Sequence, residues 1–181
     1  MRVSILDADH ELGAVGTDPD RLVPSSFAPI YEEHRLSVYR YLRARASSED
    51  EALDLTAVTF ERAFASHRRF RRRDGGVHAW LLRIARNAAI DASRRRRPTI
   101  GLARADAQLG VRAVEVDRQA QQSTEVLDLV SRLPDDQRDA LLLRYAGGLT
   151  SREIGIVIGK RESAVQKQIE RGLAALREAI R

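Results

Sequence analysis

Residues 80–98 read WLLRIARNAAIDASRRRRP. Trp80, Leu81, Ile84, Ala85 and Ala88 recur at three- and four-residue spacing, so on a helix they share one face and are expected to be buried. Arg83, Arg86 and Asn87 fall outside that stripe, and Arg94 to Arg97 carry the charge on to Pro98, where the helix is expected to stop. A helix that is apolar on one side and cationic on the other suits a polyanion. One arginine would be read as an ordinary solvated side chain. Here Arg68, Arg69, Arg71, Arg72 and Arg73 stand just upstream, with only Asp74 and Asp91 to offset them, and this density favours contact with nucleic acid.

Upstream of this stretch the pattern is also helical. Phe27, Ile30, Tyr31, Val38, Tyr41 and Leu42 form a stripe that starts near Ser25 and ends near Arg45. Ser48 and Glu51 make a capping box, and Glu49, Asp50 and Glu51 place acid at the positive end of a second helix dipole. That helix shows Ala52, Leu55, Thr59, Phe60, Ala63 and Phe64 on one face and runs to about His67. Asp74-Gly75-Gly76 marks a turn, which puts the basic run Arg71 to His78 on a loop. Trp80 heads an apolar stripe and is assigned to the core. Phe70 is open between filling the core and stacking on an exposed base.

Downstream, residues 99–122 hold Gly, Ala, Gln and mixed charge with no lasting apolar stripe. They read as a linker, helical at its end. Residues 1–24 read as a flexible extension, with a short strand conceivable at Arg2 to Leu6. The second half is a set of short helices. Val126, Leu127, Leu129 and Val130 precede Pro134, and Asp135 and Asp136 open the next helix, whose Ala140, Leu141, Leu143 and Arg144 lead to a stop at Gly147-Gly148. Thr150 and Glu153 form a capping box for a helix carrying Ile154, Val157 and Ile158 up to Gly159. Residues 163–180 then form the last helix, with Val165, Ile169, Leu173, Leu176 and Ile180 inward. A short helix, a turn and a longer helix make a helix-turn-helix. The fold class is therefore all-α: two small helical domains, 25–98 and 123–181, joined by a flexible linker.

Composition narrows the function. The net charge of +5 favours an anionic partner. The chain has no cysteine, which removes disulfides, thiolate nucleophiles and Cys-based zinc sites. His10, His34, His67 and His78 are scattered, and no phosphate loop, carboxylate pair or Ser/His/Asp order stands out, so no catalytic, cofactor or metal residue is assigned and an enzyme is not expected. No run has the length of a membrane span and no secretory leader pattern opens the chain, so a cytoplasmic protein is expected.

The segments FAPIYEEHRLSVYRYL (27–42), EDEALDLTAVTFERAF (49–64) and residues 80–98 resemble, in order, the second conserved region of bacterial RNA polymerase sigma factors. LPDDQRDALLLRYAGGLTSREIGIVIG (133–159) with SAVQKQIERGLAALRE (163–178) resembles their fourth region. No third region stands between them, which is the layout of the extracytoplasmic-function group. The resemblance implies core RNA polymerase, promoter DNA and an anti-sigma factor as partners. It implies that Arg71, Arg72, Arg73, Arg83, Arg86, Asn87, Asp91, Arg94 and Arg95 meet the downstream promoter element. Arg161, Glu162, Ser163, Gln166 and Lys167, with Arg171 on phosphate, would meet the upstream element, and Glu51, Asp54, Leu55, Thr56, Phe60 and Glu61 the polymerase. Ala57 and Val58 stand where the family carries Gln and an acid, so core affinity is expected either to be weaker or to rest more on Asp54, Glu51 and Glu61. Gly155 and Gly172 stand at frequent alanine positions and predict a loosely stable second domain. Arg161 replaces a common capping serine. A helix-turn-helix regulator that never engages polymerase is the alternative; it leaves residues 27–98 unexplained.

Overall fold

The structure, a computed structural model, describes residues 27–70, 75–96 and 118–180. The expected extension with its strand at Arg2 to Leu6, most of the linker, Asp74, Pro98 and the arginines at 71–73 lie outside the described residues. Within them the chain is helical throughout: α1 (Phe27–Arg43), α2 (Glu49–Ser66), a 3-10 turn (His67–Arg69), α3 (Gly76–Arg96), α4 (Arg118–Ser131), α5 (Asp135–Tyr145), α6 (Ser151–Ile158) and α7 (Glu162–Ala179).

The first three helices form one bundle. Phe27, Ile30, Val38, Tyr41 and Leu42 of α1 are buried against Ala52, Leu55, Thr59, Phe60 and Ala63 of α2 and against α3. Two expected core positions lie at the rim instead: Tyr31 is 41% and Phe64 49% exposed, each ring meeting a neighbour edge-on (Tyr31 with Phe60, Phe64 with Phe27). Ser48 caps α2 by accepting the Glu51 amide at 3.1 Å, but Glu51 reaches one residue further back than a reciprocal box requires, accepting from Ser47 N at 2.7 Å and Ser47 Oγ at 2.6 Å. Phe70 is 3% exposed with its ring 5.2 Å from that of Trp80, so both aromatics fill the core. Gly75 and Gly76 take φ of +87° and +83°, a left-handed turn that only glycine makes without strain. This starts α3 four residues before Trp80 and puts His78 on the helix, not on the basic loop.

The second set packs α5 and α6 on α7. Thr150 and Glu153 form the expected reciprocal box, Thr150 N donating to Glu153 Oε2 at 2.8 Å and Glu153 N to Thr150 Oγ1 at 3.3 Å. Gly159, at φ +70°, ends α6 in the left-handed region, and α7 starts after Arg161, whose side chain makes no cap. Val126 is 46% and Ile180 67% exposed, so these two expected apolar positions lie outside the core. Gly155 and Gly172 are contact points more than weak spots: a Cβ on Gly155 would meet the Lys160 carbonyl oxygen at 2.6 Å, and one on Gly172 would meet Leu141 Cδ1 at 2.7 Å. At Gly155 the obstacle is backbone in the turn before α7; at Gly172 it is the end of the Leu141 side chain of α5.

The two sets share one apolar core. Leu82, absent from the expected stripe of α3, is fully buried, and its Cδ1 would lie 2.9 Å from a Cβ on Gly147 at the end of α5. Ile156 of α6 approaches Gly75 in the same way, its Cδ1 3.3 Å from where a Cβ on Gly75 would lie. So α3 has two buried faces, one toward α1 and α2 and one toward the second set.

Candidate nucleic-acid interface

On α3, Arg83, Asn87, Asp91, Arg94 and Arg95 recur within a narrow arc at i, i+4, i+8 and i+11 to i+12. Asn87, Arg94 and Arg95 are exposed, while Arg83 and Asp91 are half-buried. Asp91 pairs with Arg62 of α2 at 3.3 Å, an ion pair open to solvent on both sides and therefore a weak one. Arg86 departs from the group. It lies about 60° beyond Arg83, outside that arc, half-buried, and its Nε donates to Asp139 Oδ2 of α5 at 2.7 Å. The sequence placed it with the DNA-facing residues, and the structure turns it toward the second set.

The other candidate reader is α7. Arg161, Glu162, Ser163, Gln166, Lys167 and Arg171 are all exposed. Val165 is fully buried and Ile169 half-buried on the opposite side, so the helix is held by its apolar face with its polar face outward. The turn before it is tied down by Lys160 N to Gly155 O at 2.9 Å and by Val165 N to Arg161 O at 3.1 Å. Its leading turns therefore project from a fixed base, the arrangement by which such a helix enters a major groove.

The residues expected to face polymerase divide. Asp54 and Glu61 are exposed on α2 and Glu51 is half-exposed. Leu55 and Phe60 are each 6% exposed and belong to the core, where they support the helix instead of presenting a surface. Thr56 is half-buried and returns its hydroxyl to the Ala52 carbonyl at 2.7 Å. Leu53, 52% exposed beside Asp54, is an apolar surface residue that sequence reading passed over.

Two further residues were missed. Arg45 and Asp139 meet across the two sets: the Arg45 Nη1 donates to Asp139 Oδ1, and the Asp139 side chain is only 7% exposed. The available signal was an acid at the position one turn before Leu143, on the buried face of α5. Its partners are distant in sequence, which hid them. The described residues hold no group of three or more His, Cys, Asp or Glu able to bind a metal. No helix among them is long and apolar enough to cross a membrane.

The family model for sigma-70 region 2 matches residues 30–99 and that for sigma-70 region 4 matches residues 123–176. The ECF RNA polymerase sigma factor BldN of Streptomyces coelicolor is 31% identical over 148 residues, 78% of this chain but 55% of BldN's own length. SigM of Bacillus subtilis, also an ECF RNA polymerase sigma factor, is 30% identical over 138 residues, 74% of this chain and 82% of SigM. The chain belongs to the ECF group of the sigma-70 family. Its bundle of α1 to α3 is sigma region 2, and α4 to α7 form sigma region 4. The fold agrees with that of the sigma factor RpoE of Bartonella quintana, solved with the anti-sigma factor NepR, at a TM-score of 0.67 with 21% identity, covering 86% of this chain and 97% of RpoE. In these terms the α3 face at Arg83–Asn87–Asp91 belongs to region 2, the exposed α7 face to region 4, and the Asp139 ion pairs tie region 4 to region 2.

Proposed function

We propose that this chain binds core RNA polymerase and directs it to a set of promoters, as a cytoplasmic transcription initiation factor with no reaction of its own. The observation that carries the reading is the exposure of all six candidate readers on a firmly based α7, in a chain that matches regions 2 and 4 in order. Region 4 reads the upstream element in duplex DNA through Gln166, which suits adenine, and Arg161 and Lys167, which suit guanine. Arg171 neutralises a phosphate. Region 2 holds the downstream element along Arg83, Asn87, Asp91, Arg94 and Arg95, and the basic segment 71–73 stabilises the opened strands, offsetting a few kcal/mol per unstacked base. Asp54, Glu61 and Glu51 face the polymerase. The working division is 25–98 for region 2, 99–122 as linker and 123–181 for region 4, with an anti-sigma factor as inhibitor.

Run-off transcription with core polymerase on a genomic promoter pool tests this. Promoter-specific transcripts are expected with the chain and none without it. In the same assay Gln166→Ala is expected to relax the upstream preference, whereas Arg171→Ala weakens all promoters alike and lowers the salt slope by about one. A chain that binds DNA but never co-purifies with core polymerase would support the helix-turn-helix regulator instead.

A further inference from the structure

The Asp139 carboxylate sits between two guanidinium groups supplied by region 2. Arg45, in the turn after α1, donates from Nη1 to Oδ1, and Arg86, on α3, donates from Nε to Oδ2 at 2.7 Å. Arg45 is 12% exposed and lies 5.8 Å over the ring of Tyr41. Burial holds the Tyr41 hydroxyl well above its ordinary pKa, so it stays neutral and offers the arginines no charge. Two guanidiniums held this close repel each other, and withdrawn from water they need an anion between them. In the structure region 4 supplies it.

The two donors come from different elements of region 2 and converge on two oxygens of one anion. Planar guanidinium groups take a phosphodiester through the same paired oxygens as a carboxylate. Arg86 also stands beside the exposed cationic face of Asn87, Arg94 and Arg95, which makes a nucleic-acid backbone the phosphate at hand. We propose that Arg45 and Arg86 form a phosphate site for DNA and that Asp139 occupies this site in cis, so that the chain is latched closed and the latch and DNA exclude each other. The assignment of DNA as the ligand rests on the proposed promoter-binding role of region 2. The latch itself rests only on the geometry.

The test uses the full chain, whose lack of cysteine allows single labels at two exposed positions, Ala65→Cys in α2 and Glu178→Cys in α7. The probe is a 20-base-pair duplex without promoter sequence. In the wild type, the distance between labels is expected to lengthen as duplex is added, and no change at saturation overturns the proposal. Asp139→Asn is expected to lengthen it without DNA and to raise duplex affinity about tenfold, with a salt slope steeper by roughly one to two counterions. Arg45→Gln with Arg86→Gln is expected to open the chain equally with no gain in affinity. A gain that survives when all three changes are combined overturns the phosphate site. Absent transcription with these outcomes intact counts against the sigma factor reading alone; normal transcription with an Asp139→Asn chain that stays closed counts against the latch alone.

Discussion

Gly155 and Gly172 show how one residue type carries opposite meanings. On propensity alone a helical glycine costs about 1 kcal/mol against alanine, so replacing it ought to stabilise. At Gly155 the added Cβ would lie 2.6 Å from the Lys160 carbonyl oxygen, a backbone atom that moves only with the turn into α7. Overpacking of this kind costs about 1–3 kcal/mol. We therefore expect Gly155→Ala to lower stability by about 1 kcal/mol or more in urea unfolding; an increase would mean the turn gives way freely. The histidines supply a second prediction at this scale. His34 and His78 stack with ring centroids 5.1 Å apart, and Ser37 Oγ lies 3.0 Å from His78 Nε2. The Ser37 hydroxyl already donates to the His34 carbonyl, so its oxygen accepts here from the Nε2–H of His78. Burial holds both imidazoles below their ordinary value of 6.5, against the opposing pull of Glu33 on His34 and of Glu153 and Glu33 on His78, and His34 lowers His78 further. The unfolded chain thus takes up protons that the folded chain refuses. The stability present above pH 6.5 is lost as pH falls below it. Thermal unfolding between pH 7.5 and 5 is expected to show this fall, and His78→Gln to flatten it; an unchanged slope in the variant would remove the stacked pair as the cause.

At the scale of elements, helical periodicity identified every described helix, because apolar spacing reports a buried face directly. What it could not report was a second one. Leu82 falls off the stripe set by Trp80, Leu81 and Ala85, yet it is fully buried, because region 4 covers that side of α3. The same limit applies to α2, where family resemblance grouped exposed and buried residues together. Asp54 and Glu61 are exposed while Leu55 and Phe60 are core, so substitutions there should separate binding from stability. Leu55→Ala and Phe60→Ala are expected to cost about 2–5 kcal/mol of folding free energy through lost burial and the cavity left behind. Asp54→Lys and Glu61→Lys are expected to leave unfolding within about 0.5 kcal/mol of the wild type while weakening capture of core polymerase in a pull-down. Equal binding by the charge-reversed helix would move the polymerase contact to another face.

At the scale of the whole molecule, the order of the two regions was legible in the sequence, but their contact was not. Arg45, Arg86 and Asp139 lie on three helices or turns separated by a linker, and pairing across such distances leaves no periodic trace. The contact combines an apolar part, Leu82 against Gly147 and Ile156 against Gly75, with the buried ion pairs. Burying one leucine is worth about 1.5–3 kcal/mol, and a buried pair is costly to break on one side only. The closed arrangement therefore has a depth of a few kcal/mol, which a polyanion contacting both regions can offset by differential affinity. While the regions share a core they should unfold together. Leu82→Gln puts a polar group into the apolar part of that contact. It is expected to raise the radius of gyration in scattering and to split one calorimetric transition into two, as each region then unfolds by itself. Adding Asp139→Asn should bring little further expansion, because an opened chain no longer holds the carboxylate between Arg45 and Arg86. If Leu82→Gln leaves both the radius and the single transition unchanged, the ion pairs alone hold the regions together, and Asp139→Asn should then produce the whole of the opening.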